Sequence, residues 1–409
     1  MSPENIYTRP HNLFATPDIS PDANKDEWRQ PGDVQILLYP YYSKFDAHEL
    51  IKIARALVNP RGKGIYATDE APYAMDDLLA SLDEDPKLNK TRSEEDKRER
   101  RKKWRVCMYS AAPTDYISGV ILHDETLRDF KLAEILSEKG IIPGVRANLE
   151  LTPIPRSEDE FIVQGLDDLL SKMQAARAEG ARFSKWRAPI ACSSVEGGFP
   201  SRISLETQAE TLAQFAAISQ QAGLVPIVEP DVDFSRDADL TRSAEIHEQA
   251  IAMIYERMRA HGVLLEGSLI KPSFPQPGLR HPSRSNVTPE EIAVATATVL
   301  SRAVPAAVPG ILFLSGKCIP NIFDLSSNMI TGGLPSSQAT QWLAAINALV
   351  LASPPTSPFT RLPPLTFSYG RALQGEPMKH WVKGDEEAAK AALVKWSKAC
   401  WHAARGEVL

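Results

Sequence analysis

The feature that most constrains this chain is a recurrence of short apolar runs separated by longer amphipathic stretches. The runs are Gly64–Asp69, Gly119–His123, Ile141–Asn148, Phe183–Ile190, Leu224–Asp231, Val263–Lys271, Gly310–Ser315 and Leu365–Gly370. Each is short and bounded by turn residues, as a buried strand requires, whereas Leu205–Ala222, Leu240–Ala260 and Ala339–Ala352 carry the helical period. Thr288-Pro289-Glu290-Glu291 has a hydroxyl at the N-cap, proline at N1 and glutamate at N3, which predicts a capping box and a helix running to about Ala303. Gly262 after His261 predicts a helix stop. Eight strand-then-helix units predict an α/β chain folded as a closed, parallel, eight-stranded (β/α)8 (TIM) barrel rather than an open doubly wound sheet.

The same reading divides the chain. Residues 1–44 form an N-terminal extension containing several prolines, and 45–409 form the barrel. A basic, low-apolar insert near 83–103 interrupts the first crossover, and the proline-rich Ser353–Pro364 leads into the last strand. The cluster from Lys97 to Arg105 follows Glu94, Glu95 and Asp96, a pattern that reads as a solvated helix face of mixed charge.

Composition narrows the functional classes. With 43% hydrophobic and 24% charged residues, the 409-residue chain can bury a large core. A formal net charge of −6 gives no basic excess to meet phosphates, so a nucleic-acid partner is not expected. No apolar run reaches membrane-spanning length, and the N-terminus is neither a signal peptide nor an Arg-rich presequence, so a cytoplasmic protein without a membrane partner is expected. Four dispersed cysteines make no CxxC pair, and eight histidines make no HxH or HExxH, so neither a disulfide framework nor a metal or other cofactor is predicted. There is no GxGxxG turn after an early strand, no P-loop and no GxSxG elbow.

In a parallel barrel alternate strand residues point inward, and chemistry sits at the C-terminal mouth. At that end the runs place Asp69; Arg146 and Asn148; Lys185 and Arg187; Glu229 and Asp231; and Lys271. Such charges are costly inside a barrel unless they meet one another or a ligand. Each has a structural alternative: Lys271 before Pro272 as a solvated turn residue, and Lys185 and Arg187 as cations flanking Trp186. Their shared location is the argument, since lysines and carboxylates converging on one mouth are what imine and proton-transfer chemistry needs.

At these residues the sequence resembles the class I fructose-bisphosphate aldolase family. Leu264-Leu265-Glu266-Gly267-Ser268-Leu269-Ile270-Lys271-Pro272 is similar to its Schiff-base strand, and Val225-Pro226-Ile227-Val228-Glu229-Pro230-Asp231 to its acid/base strand. Phe183–Arg187, Gln164–Asp167, Gly119–Leu122, Glu125–Leu127, Phe313–Gly316 and Thr366–Gln374 match further motifs, so the resemblance runs from about Phe45 to Cys400. It implies that Lys271 forms an imine with a ketone donor resembling dihydroxyacetone phosphate. Glu229 would then move protons during carbinolamine dehydration, Asp69 would handle the hydroxyl proton of the bond being broken, and Lys185 would hold substrate hydroxyls. It further implies that Ser315, Gly316, Ser368, Gly370 and Arg371 bind the donor phosphate, with Lys317 a new cation beside them, and that Arg146, Arg187 and Asp231 complete the substrate site. The expected partners are a small-molecule ketone donor and an aldehyde acceptor, in a homo-oligomer, a tetramer by family habit.

The departures fall mainly at the acceptor end. Asp69-Glu70-Ala71-Pro72-Tyr73-Ala74 lacks the family's two serines, Leu78 stands for an arginine, Arg146 for a lysine, Asn148 for an aspartate, and the sequence ends at Leu409 without a long tail ending in tyrosine. These changes favour a class I aldolase with an altered aldehyde acceptor. The alternatives are an ordinary fructose-bisphosphate aldolase of glycolysis and gluconeogenesis, and a non-catalytic scaffold built on the same barrel.

Overall fold

A computed structural model of the chain describes residues 41–407 except 84, 86–90, 158 and 316–333. The barrel strands are β1 (Gly64–Thr68), β2 (Ile117–Leu122), β3 (Ile142–Arg146), β6 (Phe183–Ile190), β7 (Val225–Val232), β8 (Leu269–Ile270), β9 (Ile311–Phe313) and β10 (Leu365–Tyr369). Each pairs in parallel with the next, and β10 closes on β1 through Ile65 opposite Ser368. The predicted eight-stranded parallel barrel is therefore the observed fold, and helices of the connections surround it.

The interior is divided along its axis. Ile65, Ile121, Phe183, Val225, Ile227, Leu269 and Leu312 form one buried cluster with Leu50, Ala54, Leu57 and Val58 of the helix Lys44–Val58. That helix, capped by Ser43, covers the N-terminal end of the barrel and leaves the opposite end to polar side chains. The predicted capping box is present: Thr288 Oγ1 accepts from Glu291 N, and Glu291 accepts from Thr288 N, at the start of Pro289–Ala303.

Three features differ from expectation. The sixth run is a strand only over Leu269–Ile270, because Leu265–Gly267 turns as a 3-10 helix. There the Gln220 side chain donates to the carbonyls of Leu264 and Gly267 and accepts from Leu264 N, taking the groups a longer ladder would have used. A hairpin of β4 (Leu151–Pro153) and β5 (Phe161–Val163) follows β3 and was not foreseen; three-residue strands carry too little alternation to read. The basic cluster is not a simply solvated face either. Its helix, Glu94–Ala111, buries Arg101 against Asp76 and Glu125 (2.7 and 2.6 Å), and Arg105 against Glu70 (2.9 Å). Those partners are distant in sequence, so charge alternation within the helix could not reveal them.

Candidate active site

The strand register brings the polar residues together. Arg146 lies opposite Lys185, and Arg187 opposite Glu229, on neighbouring strands. Alternation along β6 sends Lys185 inward and turns Trp186 outward, where its ring packs 5.4 Å from that of Phe215. Trp186 therefore does not serve as an aromatic partner for its flanking cations; their partners are carboxylates.

Lys185 Nζ lies 2.7 Å from Asp69 Oδ2 and 3.1 Å from Glu229 Oε2, and Lys271 Nζ lies 3.2 Å from the same Glu229 atom. Lys271 follows β8, and its backbone N–H still donates to Val228 O at 2.8 Å, so the ladder fixes its height in the barrel. Lys185, Glu229 and Lys271 are nearly sealed from solvent, Lys271 being only 3% and Glu229 4% exposed, while the Asp69 side chain keeps 14% of its surface open to the cavity. The solvated-turn reading of Lys271 is thereby excluded.

This burial splits the two lysines. Burial pushes the Lys271 ammonium below the usual lysine range; Glu229 opposes that shift, and the charge of Lys185 adds to it. Burial acts the same way on Lys185, but Asp69 and Glu229 together outweigh it and hold Lys185 above the usual range. Burial alone would raise Asp69 and Glu229, yet Lys185 and Lys271 pull both below the ordinary carboxylate range. The centre thus holds one amine poised toward its neutral, nucleophilic form beside a fixed cation and two ionised carboxylates.

On the next strand turn, Arg187 Nε donates to Asp231 at 2.7 Å, while Asn148 Oδ1 accepts from the Arg187 backbone N–H. Burial raises the Asp231 carboxyl, with Arg187 acting against it. Ser315, Ser368, Gly370 and Arg371 line the same cavity of about 260 Å³ as the four central residues. Gly370 has a steric reason: a Cβ there would meet the Ala67 carbonyl oxygen at 2.9 Å. Arg371 opens the helix Arg371–Val382, so the N-terminus of that helix lies at that end of the cavity. The predicted sites at Gly316 and Lys317 lie outside the described residues.

The end expected to take the acceptor departs from expectation in two respects. Ala71, Tyr73 and Ala74 line the cavity, but Leu78 does not; it packs against the outer core. The fork of Arg146 is already engaged, with Nε donating to Asn148 O and its terminal nitrogens to the carbonyls of Asp69 and Leu149 and to Glu150. Leu149, Glu150 and Leu151 also line this end and were missed, although Glu150 continues the period-two series of Arg146 and Asn148. Glu70 was missed as well: it accepts from Arg105 and from Gln374 of the helix Arg371–Val382, tying the loop after β1 to that helix.

A larger groove of about 930 Å³ lies between the helices Leu240–Ala260 and Pro289–Ala303, outside the barrel. It holds none of the converging charges, and size does not make it the chemical site. Among the described residues no cluster of histidine, cysteine or carboxylate side chains could hold a metal ion, and no helix is long and apolar enough to cross a membrane.

Comparison with known proteins bears on this arrangement. The family model "Fructose-bisphosphate aldolase class-I" matches residues 49–408. The chain is 38% identical to fructose-bisphosphate aldolase 5, cytosolic, of Arabidopsis thaliana, over 84% of this chain and 87% of that one. It is 37% identical to fructose-bisphosphate aldolase of Drosophila melanogaster and 35% identical to fructose-bisphosphate aldolase B of Homo sapiens, each over 90% of this chain and 93% of the relative. A solved fructose-bisphosphate aldolase from Plasmodium falciparum, in complex with TRAP and a small-molecule inhibitor, superposes with a TM-score of 0.77. That structure is 30% identical, over 90% of this chain and 97% of that one.

Proposed function

The chain belongs to the class I fructose-bisphosphate aldolases, lyases that act on carbon–carbon bonds, and on that premise we propose that Lys271 forms the imine. The observation that carries this reading is the opposite displacement of two lysines that share one carboxylate. The neutral amine of Lys271 attacks the donor's ketone carbon. Glu229, 3.2 Å away, takes the proton that Lys271 sheds on becoming neutral and returns it to the carbinolamine hydroxyl, which leaves as water. In the cleavage direction Asp69 accepts the proton of the hydroxyl on the carbon being released, and the electron pair of the broken bond passes into the iminium, giving an enamine and a free aldehyde. Lys185 stays cationic throughout and holds substrate oxygens where negative charge develops. Arg187 and Asp231 orient the substrate chain, and Ser315, Ser368, Gly370 and Arg371 hold the donor phosphate at the helix N-terminus.

Borohydride reduction in the presence of dihydroxyacetone phosphate, followed by peptide mass spectrometry, is expected to locate the adduct on Lys271. An adduct on Lys185, or none with any small ketone, would overturn the mechanism.

A second reading concerns the acceptor. The absence of hydroxyls at Ala71 and Ala74, with Leu149 and Leu151 beside them, supports an aldehyde acceptor other than a phosphorylated triose. The family's usual bisphosphate cleavage is the competing reading. A non-catalytic scaffold has no use for four converging buried charges. By family habit and the cytosolic relative, we also propose a cytoplasmic homotetramer.

A further inference from the structure

Glu150 is a carboxylate at the end of the cavity where an aldehyde's far terminus would lie, and it is held there from two sides. Its Oε1 lies 3.4 Å from the terminal Nη2 of Arg146, and its Oε2 accepts from the Tyr73 hydroxyl at 3.2 Å. Burial raises the Tyr73 phenol, and the nearby Glu150 charge raises it further, so this hydroxyl is a donor and not an anion. Lys185, Lys271 and Arg187 each have a buried carboxylate within 3.2 Å. Among the described residues, Arg146 is the cation that stands beside Tyr73 and Glu150 at this end. Its Nε donates to the Asn148 carbonyl at 2.9 Å, and its terminal nitrogens lie 3.4 Å from the carbonyls of Asp69, after β1, and Leu149. Glu150 offsets the charge that remains.

We infer that Glu150 makes this subsite reject an anionic terminus, so that the acceptor class is an uncharged aldehyde. The inference rests on the altered-acceptor reading and names the residue responsible. A terminal phosphate entering here would have to part Arg146 from four acceptors and settle beside a carboxylate, whereas a hydroxyl or apolar terminus leaves the pair in place. The surroundings suit such a terminus: Leu149 is 49% and Tyr73 62% exposed, giving the mouth apolar lips. Glu150 is itself on the rim, its side chain 60% exposed, so a change there disturbs no core packing.

The test is condensation with dihydroxyacetone phosphate, comparing glyceraldehyde with glyceraldehyde 3-phosphate in the native enzyme and in Glu150→Gln and Glu150→Ala. The native enzyme is expected to use the uncharged aldehyde at least as well. Both variants are expected to raise kcat/KM for the phosphorylated aldehyde relative to the uncharged one by on the order of tenfold, through KM. Native preference for the uncharged aldehyde with an unmoved ratio in both variants would overturn the role of Glu150 and leave the altered acceptor standing. Strong native preference for the phosphorylated aldehyde would overturn both. Borohydride trapping of the donor in each variant separates an altered acceptor from a lost imine site.

Discussion

Replacing Lys185 with Met removes the fixed cation while roughly keeping the volume of its stem. Lys185 Nζ and Lys271 Nζ contact the same Glu229 oxygen, at 3.1 and 3.2 Å, so the two nitrogens lie at most about 6 Å apart. Two unit charges at that separation, in an effective dielectric of about 20, repel by about 3 kcal/mol. That repulsion disfavours the Lys271 ammonium. Lys185 also compensates Asp69 and Glu229, and without it both carboxylates would act on Lys271 alone, stabilising its ammonium form further. Both effects have the same sign. The pH dependence of imine formation, followed by borohydride trapping at timed intervals, is therefore expected to move to higher pH in Lys185→Met. At neutral pH trapping should slow, by up to the roughly hundredfold that about 3 kcal/mol is worth, and recover in alkali. A uniform fall in rate at every pH, with no displacement of the profile, would refute the electrostatic argument and leave Lys185 only a substrate contact.

Arg371→Ala is expected to raise KM for a phosphorylated donor by on the order of tenfold or more, the worth of a charge-assisted contact; steady-state kinetics showing an unchanged KM would mean that the donor is not held there through a phosphate. Arg105→Met leaves Glu70 facing an apolar side chain, and because Arg105 is only 3% exposed the loss is expected to cost about 3 kcal/mol. Differential scanning calorimetry would read this as a fall in Tm of several degrees, and an unchanged Tm would remove the pair from the fold's supports.

The parts of the fold that were legible are those whose physics is local. A strand buried on both faces must be apolar and short, and a helix must show its stripe, so the spacing of runs was enough to predict eight parallel strands. The Leu240–Ala260 helix was bounded correctly because Gly262, at φ +69°, stops it in the backbone region that glycine favours. What stayed hidden depended on distant partners. The turn at Leu265–Gly267 exists because Gln220, more than forty residues earlier, takes its backbone groups. Arg101 and Arg105 are buried because Asp76, Glu125 and Glu70 come to them.

The site follows the same division. Asp69, Lys185, Glu229 and Lys271 could be picked out because each interrupts or follows an apolar strand, and a charge in that position must be answered by another charge or by a ligand. The structure answers them with one another, which is why one carboxylate can hold two amines in different states. Glu150 carried a weaker signal: it continues the period-two series of Arg146 and Asn148, but beyond the strand, in a loop where a carboxylate costs little. Only the path of the chain after Asn148, turning toward the hairpin of β4 and β5, returns it to Arg146 and Tyr73. Residues performing the chemistry are constrained by burial and so are visible as anomalies in a hydrophobic pattern. Glu150, to which we assign selection of the partner aldehyde, sits at the rim, where solvent tolerates any polarity, and there the sequence pattern is weak until the fold sets neighbours side by side.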